Sequence, residues 1–225
     1  MEQLVSYALA DGVATLTMDD GKANAMSIAM LETLHAAFRR AEDDGAVVLL
    51  TGRDGIFSAG FDLTVFPQGR EATLTMLRLG ATLCERVLSF PFPVVTACNG
   101  HAYPMGAFLM LSADRRIGAT GDFRIGMNEV VIGLTLPLFA VEVARQRLAP
   151  AYFQRTVVGN LFGPREAVTA GYLDEVVEPG ALAARSREVA LGLTSIDLPS
   201  HAASKQRVRA SALSALRRAI DEELH

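Results

Sequence analysis

Residues 87–113 read VLSFPFPVVTACNGHAYPMGAFLMLSA, a run without a single Asp, Glu, Lys or Arg. The run is longer than a bilayer span requires. Pro91, Pro93, Asn99, Gly100 and Pro104 nevertheless break it into pieces, and loop backbone facing lipid would have no hydrogen-bond partners. The stretch therefore reads as a buried strand at residues 94–98, a turn at Asn99-Gly100, and a buried helix over residues 105–113 that opens at Pro104, a residue suited to the first helical position. A strand hidden on both faces beside a helix hidden all round indicates layered α/β architecture.

The flanking sequence repeats that alternation. Residues 47–51 form a second apolar, partly β-branched run that stops at Arg53-Asp54-Gly55. Residues 4–9 and 13–18 flank Asp11-Gly12, a dipeptide that tolerates positive φ, and predict a hairpin. After the loop at residues 19–26, Ser27 is placed to cap a helix whose stripe is Leu31, Leu34, Phe38 and Ala41 and which ends near Gly45. Leu74, Leu77, Ala81, Cys84 and Leu88 mark another amphipathic helix. Short strands are expected at residues 116–119 and 123–126, helices at Pro137, Pro150 and Pro164, and a final helix over about residues 203–224. Strands separated by helices pair in parallel, and sites in such sheets gather at the strands' C-terminal ends.

The chain has 225 residues, of which 50% are hydrophobic and 20% charged, enough for one cored domain and too apolar for disorder. With 25 acidic and 21 basic residues the net charge is −4, which argues against nucleic acid as a partner. Cys84 and Cys98 make neither a disulfide framework nor a zinc site and suit a reducing cytosol. Met1-Glu2-Gln3 does not begin a signal peptide, so the expectation is an unprocessed cytoplasmic chain with no membrane span, metal or redox cofactor.

Two strand exits and one carboxylate carry the candidate chemistry. Residues 47–51 lead into Phe57-Ser58-Ala59-Gly60-Phe61-Asp62-Leu63, and residues 94–98 into Asn99-Gly100-His101-Ala102-Tyr103-Pro104-Met105-Gly106. Free backbone N–H groups at such exits can together hold an oxyanion, although glycines there also serve plain backbone geometry. Glu129 is the one charged residue between Ile125 and Val141. It is either exposed on a loop or held in an apolar pocket, where burial would raise its pKa into a range useful for proton transfer. His101 reads as a loop residue with a local hydrogen bond, and Asp62 as a cap for the next turn.

The ordered set Lys22-Ala23-Asn24-Ala25-Met26-Ser27, Phe57 to Leu63, Asn99-Gly100, Asp114-Arg115-Arg116 and Gly171-Tyr172-Leu173-Asp174-Glu175-Val176-Val177 resembles the crotonase superfamily of enoyl-CoA hydratases and isomerases. The resemblance implies an α/β, crotonase-like (ClpP/crotonase) fold. Stacked ββα units would occupy residues 1–178, and a helical trimerisation region residues 179–225 of the same domain. It also implies an acyl-CoA thioester as substrate, homotrimers or hexamers, and no cofactor beyond the coenzyme A carried by the substrate. In this likeness the backbone N–H groups of Phe61 and Met105 form the oxyanion hole, with Met105 standing where a small residue is usual. Ala23 lies against adenine, while Ala59, Gly60, Tyr103, Gly106 and Phe108 are assigned to the substrate site. Lys22, Lys205, Arg207 and Arg209 face the CoA phosphates or are solvated surface charges. The Tyr103 and Met105 side chains either line the acyl pocket or pack in the core.

Hydratases of the family carry two glutamates, and Glu129 matches the later one. The earlier position holds Phe108, which can neither accept a proton nor orient water. The segments around Phe57 and Glu129 look most like mitochondrial-type enoyl-CoA isomerases, in which one carboxyl moves a proton from C2 to C4. Hydration, hydrolysis or decarboxylation on the same thioester is the alternative, and a CoA-binding assembly subunit of low turnover a third reading. Relatives usually continue through another helix over the acyl site, so a chain stopping at His225 is expected to lack that cover.

Overall fold

A computed structural model describes residues 4–225; Met1, Glu2 and Gln3, read above as lacking a leader, lie outside the described residues. The main sheet has six strands in the order β1 (Val5–Ala10), β2 (Val13–Met18), β4 (Val47–Thr51), β7 (Val94–Cys98), β9 (Arg115–Ala119) and β12 (Glu175–Val177). Only β1 and β2 are antiparallel, joined through Asp11 and Gly12 at φ 54° and 74°. Val47 to Leu50 and all of β7 are buried, as their continuous apolar runs require.

Each long central strand passes into a short strand of a second layer before its helix. β4 leads to β5 (Gly55–Ser58) and then α2 (Arg70–Ser89), and β7 leads to β8 (Gly100–Ala102) and then α3 (Pro104–Ser112). β5 and β8 pair in parallel in a second sheet completed by β10 (Ile125–Gly126) and β11 (Leu161–Phe162). This is the stacked ββα arrangement. The plain turn expected at Asn99-Gly100 is instead the step between sheets. A Cβ on Gly100 would lie 2.0 Å from the Gly55 carbonyl oxygen, so the crossing admits only glycine. Asn99 ties it down by donating from Nδ2 to the Gly52 and Arg53 carbonyls at 3.1 and 2.5 Å.

Helix α1 (Ile28–Asp43) starts where Ser27 Oγ accepts the Met30 N–H at 3.2 Å. A two-residue strand before it, β3 (Ala25–Met26), pairs in parallel with β6 (Gly60–Phe61). After β10 come α4 (Leu138–Arg145), α5 (Pro150–Val157), α6 (Pro164–Ala170) and α7 (Leu182–Leu193), with α7 against β4, β7 and β9. The last helix, α8 (Leu198–Glu223), begins five residues before the expected 203 because Asp197 caps it through the Ser200 N–H at 2.8 Å. It packs on α2 and α4. No helix among the described residues is long and apolar enough to cross a membrane.

Candidate active site

The two exits from the main sheet meet at their ends. Asp62 donates its N–H to the Met26 carbonyl at 3.3 Å. Neighbouring N–H groups in an extended ladder point to opposite sides, so the Phe61 N–H faces away from β3, and among the described residues β6 has no other strand neighbour. Met105 is the second residue of α3, whose first backbone bond runs from the Ala107 N–H to the Tyr103 carbonyl at 3.1 Å. The Tyr103 side chain supplies no cap, which leaves the Met105 N–H without an acceptor among the described residues. Gly60, at φ 92°, brings β6 close to α3, where a Cβ would lie 3.2 Å from Pro104 Cδ.

A cavity of 340 Å³ opens beside these exits. Its wall includes Ala59, Phe61, Pro104, Asn128 and Glu129, with Leu63, Leu74, Leu77, Ile132 and Leu134 supplying apolar surface. Glu129 heads a short 3₁₀ turn, Glu129–Ile132, closed by Gly133 in the left-handed region at φ 79°. The residue is 5% exposed, and neither carboxyl oxygen has a hydrogen-bond partner among the described residues. Burial lifts its pKa from 4.5 to about 7. An unpaired carboxyl in an apolar wall near neutral pKa is equipped to take up and return a proton.

The C-terminal end of α8 closes part of this cavity. Leu224, 1% exposed, lines it, and the Arg78 guanidinium holds the Leu224 carbonyl, with Nε at 2.7 Å. Glu223 also lines it, and its Oε2 accepts the Leu138 N–H at the start of α4 at 2.6 Å. The cavity is thus not left wholly bare: Arg78 and the α4 N-terminus pin the end of α8 over part of it. Sequence reading missed both latch contacts, because they join residues 146 and 85 positions apart.

Other residues assigned to the substrate stand behind the wall. Phe108 is fully buried with its ring 5.5 Å from that of Phe139, which in turn meets Phe61 at 6.5 Å edge to face. It shapes the cavity through two aromatic neighbours without lining it. The Met105 side chain is core, its sulfur 3.1 Å from the Cβ position of Gly80 on α2. Tyr103 stacks on His101, its hydroxyl 3.0 Å from His101 Nδ1, which also accepts the Arg124 N–H. Gly106 packs on Ser58. Asp62 Oδ1 accepts from the Thr64 N–H and hydroxyl, a local turn cap.

The cations proposed for the CoA phosphates separate into two groups. Lys22 is exposed in a loop whose Ala23 carbonyl accepts the Ala59 N–H at 2.9 Å, and Arg207 is exposed on α8. Lys205 and Arg209 are buried, contrary to both readings. Their nitrogens lie 2.7 and 2.8 Å from the two Asp114 carboxylate oxygens, and Asp114 also accepts the Val94 N–H. They anchor α8 to the start of β7.

Residues 9–225 match the family model for enoyl-CoA hydratase/isomerase. The structure superposes on that of an enoyl-CoA hydratase/isomerase family protein from Pseudomonas syringae with a TM-score of 0.96 and 45% identity, covering 97% of this chain and 96% of that one. For an enoyl-CoA isomerase from Mycobacterium tuberculosis the TM-score is 0.94 at 40% identity, covering 98% and 97%. A probable enoyl-CoA hydratase of Bacillus subtilis is 33% identical over 73% of this chain and 63% of its own length. The chain thus spans less than two thirds of that curated relative.

Proposed function

The chain belongs to the enoyl-CoA hydratase/isomerase family, and we propose that its reaction is the shift of an acyl-CoA double bond from the 3,4 to the 2,3 position. In this reading Glu129 removes a proton from C2, and the electron pair of the broken C2–H bond delocalises onto the thioester oxygen to give a dienolate conjugated with C3=C4. The Phe61 and Met105 N–H groups hold the resulting dienolate oxygen. The protonated Glu129 then returns the proton to C4 as the double bond forms between C2 and C3, so one proton moves and nothing is gained or lost. Losing one donor from such a hole typically costs about 2.7–4 kcal/mol, so two supply a sizeable share of the stabilisation an enolate needs.

The observation that carries this reading is Glu129 itself, a buried carboxyl with both oxygens unpartnered on an apolar cavity wall. Phe108, where hydratases have their earlier glutamate, removes the usual means of orienting water, and the apolar wall strengthens the remaining electrostatics. The likeness to the mycobacterial protein favours neither reaction, since that protein is named an isomerase in one structure and a probable enoyl-CoA hydratase in another. Hydration of 2-enoyl-CoA is the second reading, favoured by the Glu223 carboxyl on the same cavity and by the name of the Bacillus relative.

The same proposal includes an acyl-CoA substrate, cytoplasmic location and assembly into trimers or hexamers. Val131 and Val158, each 68% exposed, fall in an apolar patch with Val130 and Val157 that suits burial against another copy. Incubation with 3-enoyl-CoA and separately with 2-enoyl-CoA tests the chemistry. Isomerisation of the first, lost in Glu129→Gln, supports the proposal, whereas rapid 3-hydroxyacyl-CoA formation from the second overturns it in favour of hydration.

A further inference from the structure

Ser58 joins the two strand exits at one buried point. The residue is fully buried, and its hydroxyl makes two bonds, donating its only proton to the Asn24 carbonyl at 2.8 Å and accepting the Gly60 N–H at 3.1 Å. Its own carbonyl accepts the N–H of Tyr103, the residue that opens α3, at 2.9 Å. Its Cβ lies so close to Gly106 that a side chain there would come within 2.9 Å. One residue thus bonds the amide immediately before the Gly60–Phe61 peptide, bonds the residue before Pro104, and touches the residue after Met105.

These contacts constrain both candidate oxyanion donors. The Phe61 N–H belongs to the Gly60–Phe61 peptide, held on one side by Gly60 N–H to Ser58 Oγ and on the other by Asp62 N–H to Met26 O. Gly60 lies at φ 92°, so its neighbours must set its peptide orientation. Asn24 fixes the far end. It is fully buried at φ 51°, and its Nδ2 donates to the Met18 and Phe57 carbonyls at 2.9 and 3.2 Å.

We infer that Ser58 is a positioning residue that sets the spacing and aim of the Phe61 and Met105 N–H groups, an inference resting on the isomerase reading above. Its hydroxyl never meets substrate. Its loss leaves the Gly60 N–H and Asn24 carbonyl unpaired and frees the peptide that carries the first donor.

The test compares wild type, Ser58→Ala and Ser58→Cys by kcat and KM for 3-enoyl-CoA and by the carbonyl stretch of bound 2-enoyl-CoA in Raman difference spectra. A mis-aimed donor affects the charged transition state more than the ground state, so Ser58→Ala is expected to lower kcat about 10–100-fold with little change in KM. The bound carbonyl stretch moves back toward its free-solution position, and Ser58→Cys falls between. A merely structural serine would lower thermal stability without moving the stretch. Wild-type kcat and an unmoved stretch in folded Ser58→Ala overturn the inference, and if that variant does not fold, the same result in Ser58→Cys does so. Absence of isomerisation by wild type counts against the reaction itself, and the stretch then still reads the positioning.

Discussion

Replacing Glu129 with Gln should make the protein more stable at alkaline pH while removing its turnover. The carboxyl is 5% exposed and unpartnered, and burial holds its pKa at about 7 against an ordinary 4.5. At 1.36 kcal/mol per pH unit, that gap corresponds to about 3 kcal/mol. The folded protein binds this proton more tightly than the unfolded chain does. The protonated carboxyl's contribution is therefore fully present below about pH 4.5 and lost as pH rises through about 7. Glutamine cannot ionise and escapes that loss. Denaturant unfolding should place Glu129→Gln about 3 kcal/mol above wild type at about pH 8.5, with the difference nearly gone at about pH 3.5. An equal difference at both pH values, or none at either, would refute the argument that an ionised Glu129 is desolvated in the folded state.

The same titration predicts that kcat/KM for 3-enoyl-CoA falls about tenfold per pH unit below about 7 and levels off above it, since only the carboxylate abstracts the C2 proton; a pH–rate series checks this. Asp114→Ala strips the shared partner from buried Lys205 and Arg209 and the acceptor from the Val94 N–H, and should cost about 3–5 kcal/mol in denaturant unfolding. Leu224→Ala enlarges the cavity beneath the Arg78 latch, so the ratio of kcat/KM for longer over shorter acyl chains should rise in a chain-length series.

The layered core was legible because its signals are local. Val94 to Cys98 and Val47 to Thr51 are continuous apolar runs, and Pro104 and Ser27 stand at helix starts as their chemistry dictates. The crossing at Gly100 was not, since its glycine answers to the Gly55 carbonyl 45 residues earlier. Glu129 stood out as a lone charge in an apolar segment, yet whether it faced solvent or a pocket depended on a cavity assembled from distant elements. Lys205 and Arg209 show the opposite difficulty. At helical spacing on a polar helix they resemble surface charges, and only the Asp114 carboxylate, 91 and 95 residues away, accounts for their burial. Phe108 was read from the family pattern as a pocket residue, but the path through Phe139 to Phe61 exists only in three dimensions.

The most direct trial of the whole account is a crystal structure of Glu129→Gln soaked with 3-enoyl-CoA. It should contain the thioester oxygen within hydrogen-bond reach of both the Phe61 and Met105 N–H groups, with C2 and C4 facing residue 129 and the acyl tail against Leu74, Leu77 and Leu224. A thioester bound elsewhere, or one whose C2 faces away from residue 129, would contradict it.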